Sequence, residues 1–301
     1  MKNKYLAYAL AIALGLFAAA AAQAQSVVVG GKNFTEQLLL SNMTAQYLRA
    51  KGYQVDLKNG LGSTLMRQAQ ETGQLDIVWE YTGTSLIVYN HIDDKLDPAQ
   101  TYARVKQLDA QRGLVWLNES ALNNTYAFAM PQKLADELGI DTLQDLADRI
   151  NADDAHGKGR QHLVGVDYEF ASRPDGLGPM QQLYGFELER SEVKQMDPGL
   201  VYTALKNEQL FAGLTYSSDG RIKGFGLKLL QDDKAYFPAY KATPVVRSKV
   251  LEDNPRLAEQ LNALAARLDT AKMTELNKRV DIDQEAVSRV AADFLQQEGL
   301  I

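Results

Sequence analysis

The sequence predicts an α/β fold in two lobes, each a mostly parallel sheet flanked by helices, with a hinge between the lobes. Three observations carry that expectation. Short β-branched runs alternate with longer stretches of helical period, the mark of successive βαβ units. The rhythm runs once up to Met130 and starts again after it. The 301 residues give room for one large domain or two ordinary ones.

The first 24 residues stand apart from this pattern. Lys2 and Lys4 precede an unbroken apolar or small run from Tyr5 to Ala22, which leads into Ala22-Gln23-Ala24. A basic start, an apolar centre and a small-x-small exit describe a cleavable secretory signal peptide. The competing reading is a membrane anchor, for which about 18 residues is the lower limit of a span. Cleavage after Ala24 leaves 30 basic against 38 acidic residues, so the net charge moves from −6 to −8. No cysteine stands at the cleavage point, which excludes a lipoprotein, and the expected location is the periplasm.

Beyond the leader, Ser26–Gly30 reads as a buried strand. Asn33-Phe34-Thr35-Glu36 reads as a capping box, with Asn33 as N-cap of a helix that shows Leu39, Met43 and Tyr47 on one face and stops at Gly52. Tyr53–Leu57 is the next strand, Ser63–Thr72 a helix, Leu75–Trp79 a strand, Pro98–Arg112 a helix and Leu114–Leu117 a strand. After Met130 come a helix at Leu143–Ile150, a polar loop at 151–161 and a strand at Leu163–Asp167. Helices near Gly178–Tyr184 and Leu200–Asn207, a strand at Leu210–Thr215 and a strand at Pro244–Arg247 follow. From Pro255 to the end the pattern is nearly continuous helix. The chain is expected to cross between lobes near 127–130 and 236–243, so that 25–128 and 241–301 form lobe 1 and 129–240 lobe 2. Ligands of such folds bind where strand ends meet a crevice.

Composition excludes several chemistries. The acidic balance, with pI near 5.2, lacks the basic footprint of a nucleic-acid binder. The absence of cysteine removes disulfides, thiol nucleophiles and Cys-ligated zinc. No G-x-S-x-G, P-loop or dinucleotide-binding fingerprint occurs. His91, His156 and His162 sit in polar contexts, and the loop Gly157-Lys158-Gly159-Arg160 reads as solvated surface. Asp93-Asp94, Asp153-Asp154 and Asp232-Asp233 read as exposed charges, and Asp281-Ile282-Asp283-Gln284 lacks the glycine of a calcium loop. No metal and no cofactor is expected.

Tyrosines are the informative residues. Tyr81, Tyr126, Tyr216 and Tyr240 lie at strand-to-loop junctions instead of helical faces. Aromatic faces at crevice-facing strand ends suit an apolar cation, at about 0.5–2 kcal/mol per contact. The alternative for each is an ordinary half-buried tyrosine. Lys32, Thr84 and Arg173 lie at similar junctions and suit a carboxylate.

Gly31-Lys32-Asn33-Phe34-Thr35-Glu36-Gln37, Gly73-Gln74-Leu75-Asp76-Ile77, Glu80-Tyr81-Thr82-Gly83-Thr84 and Phe237-Pro238-Ala239-Tyr240 resemble substrate-binding proteins of quaternary-amine ABC importers. These are the glycine betaine, carnitine and choline binders. The resemblance covers essentially the whole chain after the leader. It implies a type II periplasmic-binding-protein fold whose lobes close on the ligand, and an ABC permease in the inner membrane as partner. It also implies an aromatic cage of Tyr81, Tyr126, Tyr216 and Tyr240, a carboxylate grip of Lys32, Thr84 and Arg173, and a backbone carbonyl of Asn124 near the methyl groups. Tyr236 competes with Tyr240 for its place. Together Lys32 and Arg173 favour a zwitterion over choline. The resulting expectation is a monomeric, non-catalytic periplasmic receptor. The other readings are a receptor for choline or another small solute such as an amino acid, and a secreted two-lobe enzyme.

Overall fold

In the computed structural model, residues 25–155 and 162–301 are described; the leader and the basic loop that includes His156 lie outside them. The strands are β1 (Ser26–Lys32), β2 (Gln54–Leu61), β3 (Ile77–Tyr81), β4 (Leu114–Trp116), β5 (Tyr126–Pro131), β6 (Val164–Val166), β7 (Val193–Gln195), β8 (Ala212–Tyr216), β9 (Leu227–Leu230) and β10 (Ala242–Arg247). They form two five-stranded sheets, ordered β2-β1-β3-β10-β4 and β7-β6-β8-β5-β9.

Both sheets are mostly parallel, as expected, but mixed: in each, four strands run one way and one runs against them. In the first, β1 pairs in parallel with β2 and β3, while β10 runs antiparallel to β3 and β4. In the second, β6 pairs in parallel with β7 and β8, while β5 runs antiparallel to β8 and β9. The antiparallel strands β5 and β10 are those that enter a sheet after the chain has crossed from the other one. The first crossing therefore lies between β4 and β5, and the expected boundary at residue 128 falls inside β5. The second lies between β9 and β10.

The helix Thr35–Ala50 buries Leu39, Met43 and Tyr47 as its spacing predicts. Its N-cap is Phe34, not Asn33, with no side-chain capping bond, so the expected capping box is absent. Strand β3 lies two residues later than predicted and is buried at every position. Alternation sends Trp79 and Tyr81 to one face, where Trp79 Nε1 donates to Thr44 Oγ1 at 2.8 Å. Glu80 lies on the other face and accepts from Tyr89 Oη at 2.7 Å. A tight helical turn at Thr82–Thr84 and a π-helical turn at Ser85–Tyr89 follow β3. Asp109 pins that turn by accepting from Ser85 Oγ at 2.9 Å, from Trp116 Nε1 at 2.7 Å and from both Arg67 terminal nitrogens. Although burial raises it, Arg67 holds the Asp109 carboxyl below its ordinary value.

A short helix at Ser248–Asp253 precedes the C-terminal stretch, and from Pro255 onward that stretch is three helices, not one: Leu257–Ala265, Thr270–Asp281 and Val287–Gln297. One break is marked by Asp269, whose side chain accepts from the Lys272 backbone N–H and caps the next helix. Among the described residues, no helix is long and apolar enough to cross a membrane, and no cluster of His, Asp and Glu could hold a metal. His162 and Asp153, expected at the surface, are buried together, with Nε2 to Oδ2 at 3.0 Å. Asp232 is half-buried and accepts from Tyr184 Oη and the Tyr236 and Phe237 backbone N–H groups.

Candidate functional site

The antiparallel entry of β5 and β10 is what gathers the tyrosines. Strands β3 and β8 run toward one edge of their sheets and end at Tyr81 and Tyr216. Strand β5 starts at that same edge of the second sheet, because Tyr126 pairs with Tyr216. Strand β10 starts beside the end of β3, with Ala242 opposite Tyr81, which sets Tyr240 just outside the first sheet. In a wholly parallel arrangement, strand starts and strand ends would lie at opposite edges.

Between the sheets these residues enclose a cavity of about 160 Å³. That is below the range usual for drug-sized ligands, so the cavity suits a compact solute. Tyr81, Tyr126, Tyr216 and Tyr240 all line it, as do Lys32, Thr84 and Asn124. Three of the rings are in contact: Tyr126 lies 5.4 Å from Tyr216 and meets Tyr240 edge to face at 5.3 Å, centroid to centroid. Burial pushes all four phenols well above their ordinary pKa, so they remain neutral. Tyr236 donates to the Gly176 carbonyl and is absent from the lining, whereas Tyr240 is part of it.

Phe34 is a wall that sequence reasoning missed. Its ring stacks on Tyr216 at 5.0 Å and lies 6.3 Å from Tyr81, so the two sheets' walls touch through it. The signal was present in its position, two residues after Lys32 at the end of β1.

Lys32 lines the cavity and Arg173 stands behind its rings, and both are already paired. Lys32 forms an ion pair with buried Glu80, and its Nζ lies 5.2 Å from the Tyr81 ring centre. Arg173 is gripped by Asp175, with Nε and Nη2 each at 2.7 Å from a carboxylate oxygen. Its Nη1 reaches Glu169 at 3.2 Å and Thr84 Oγ1 at 3.4 Å. The guanidinium stands over the Tyr126 and Tyr240 rings at 5.3 and 5.9 Å, so it touches the cage while lying outside the cavity lining. Asp167 and Glu169, both missed by sequence reasoning, line the cavity in the turn after β6. Burial raises Asp167, which accepts from Tyr216 Oη at 2.9 Å. Burial opposes the charged form of Glu169 too, but Lys32 and Arg173 outweigh it and hold that carboxyl below its ordinary value. Asn124 donates its Nδ2 to Glu36, and its buried Oδ1 has no partner.

A model of the substrate-binding domain of ABC-type glycine betaine transport systems matches residues 25–297. The chain belongs to that family. A glycine-betaine-binding protein of Pseudomonas aeruginosa is 55% identical over 288 residues, covering 95% of this chain and 92% of that one. A carnitine transport binding protein of Listeria monocytogenes is 32% identical over 279 residues, covering 91% of this chain and 87% of that one. A crystal structure described as a glycine betaine/carnitine/choline ABC transporter superposes with a TM-score of 0.71 at 29% identity, covering 91% of this chain and 99% of that one. The two mixed sheets flanked by helices are thus the two-lobe architecture of the glycine betaine-binding family.

Proposed function

We propose that this protein is an extracytoplasmic receptor that closes its two sheets, as lobes, around a quaternary ammonium zwitterion and presents it to an ABC permease. The observation that carries this reading is the aromatic cage with two cations at its rim. Lys32 and Arg173 stand against the faces of Tyr81, Tyr126 and Tyr240, which supports reading these rings as a wall that attracts positive groups. A trimethylammonium group has no hydrogen to donate and must be held by shape and by such ring faces. The unpartnered Asn124 Oδ1 adds a carbonyl dipole at the wall. Lys32, Arg173 and Thr84 converge from opposite sheets, and a ligand carboxylate placed among them would receive charge-assisted bonds. Crossings at 117–125 and 231–241 would serve as the hinge. Export through residues 1–24 and the monomeric state belong to the same reading.

A melting-temperature panel of glycine betaine, carnitine, choline, choline sulfate and amino acids tests it, since a ligand that binds only the native state raises apparent stability. The largest shifts are expected for the betaines and carnitine. A larger shift for an amino acid than for any quaternary amine would reject the reading.

A further inference from the structure

Glu36 is the second residue of the helix Thr35–Ala50, is buried, and lies outside the cavity lining. An acid at this position ordinarily serves the helix N-terminus from solvent. Here its carboxylate instead accepts three side-chain bonds, one from each part of the molecule that closure must bring together. Tyr81 Oη donates from the end of β3 at 2.6 Å, Asn124 Nδ2 from the crossing segment at 2.9 Å, and Ser218 Oγ from the turn after β8 at 2.6 Å. Tyr81 and Asn124 form cavity wall; Ser218 belongs to the opposite sheet's side. Gln37 Nε2 donates to Tyr81 Oη from the other direction, so the phenol has no freedom to turn away from Glu36.

We propose that Glu36 is a positioning residue that couples closure to the shape of the cage: docking of Ser218 on its carboxylate completes the set of bonds that fixes Tyr81 and Asn124 against the ligand. When the sheets part, that bond breaks and the carboxylate gains water.

Closure therefore also changes how Glu36 titrates. Three neutral donors, Tyr81, Asn124 and Ser218, meet the carboxylate, and Asp219 is the charged group facing it. Arg221 lies behind Asp219 and is tied to Asp219 and Asp281. Burial outweighs the three donors and pushes the carboxyl up to about 7. A group held above its exposed value binds its proton more tightly in the closed state. Ligand affinity is then highest below the exposed-state value and falls as pH rises through about 7.

This inference rests on the proposed ligand reading, and its test uses one readout that needs no ligand. The chain lacks cysteine, so Lys58→Cys on β2 and Lys133→Cys beyond β5 accept a dye pair that reports lobe separation. Ser218→Ala is expected to shift the ligand-free chain toward larger separation and to weaken glycine betaine binding by about tenfold, the loss of one hydrogen bond to the Glu36 carboxyl. Between pH 6 and 8 the wild type is expected to lose affinity several-fold, while Glu36→Gln, which mimics the protonated acid, gives a flat profile. If the wild type binds no quaternary amine but Ser218→Ala opens the ligand-free chain, the ligand reading fails and the coupling stands. If Ser218→Ala leaves both separation and affinity unchanged, or Glu36→Gln keeps the wild-type pH slope, the coupling is overturned.

Discussion

Arg173 has a double role at the residue scale: its guanidinium faces two cage rings while Asp175 and Glu169 hold it in place. Arg173→Ala would leave the half-buried Asp175 carboxylate with the Tyr240 Oη bond at 2.8 Å but no cation, a loss of about 1.5–3 kcal/mol, so it is expected to lower both stability and affinity. Replacing both members separates the two effects. Arg173→Gln with Asp175→Asn is expected to recover most of the ligand-free melting temperature and little of the affinity. Recovery of both would make Arg173 structural only. The sequence made this residue visible as a charge at a junction, but its acidic partners were not. Asp167 and Glu169 fall in a turn whose role depends on β6 meeting β8, a contact between residues about 50 positions apart. Glu36 was visible only as a helix-start acid, because its three donors come from residues 81, 124 and 218.

Elements succeed or fail by what local chemistry can say about them. Pro98–Ala110 was readable because Asp97 and Gln100 form a reciprocal capping box with Pro98 inside the first turn. The breaks within the C-terminal helices carry no glycine, and Asp269 resembles any surface acid in sequence, so they were merged. The direction of β5 and β10 was equally hidden, since alternation gives a strand and not its neighbour. One element contact gives a test of closure away from the cage. Gly220, in the turn after β8, lies against the helix Thr270–Asp281, where an added Cβ would meet Lys278 Cβ at 2.6 Å and the Thr274 carbonyl at 2.9 Å. Helix backbone cannot yield as a side-chain tip can. Gly220→Ala is therefore expected to wedge the sheets apart and weaken ligand binding about tenfold, with the ring contacts themselves untouched. Calorimetric affinity equal to wild type would show that this contact does not govern closure.

The whole molecule joins two sheets through one continuous apolar cluster, which includes Leu39 and Trp79 on one side, Phe128 and Phe170 on the other, and the cage tyrosines between. A site built at that seam exists only when both sides meet, which is why Phe34 contacts Tyr216 and Arg173 contacts Thr84 across it. Tyr81, Tyr126, Tyr216 and Lys32 stand at strand ends, as their sequence positions suggest, because strand ends are local features; Tyr240 lies two residues before β10 and Arg173 seven residues beyond β6. Sequence reading had no access to the pairing of the two cations with carboxylates, which makes the seam less basic than Lys32 and Arg173 alone suggest. Calorimetry with three ligands tests the central claim directly: glycine betaine, glycine, which lacks the methyl groups, and choline, which lacks the carboxylate. Glycine betaine is expected to bind most tightly, choline more weakly and glycine not measurably. Binding of choline as tight as that of glycine betaine, or of glycine at comparable affinity, would contradict a cage and grip acting on one zwitterion.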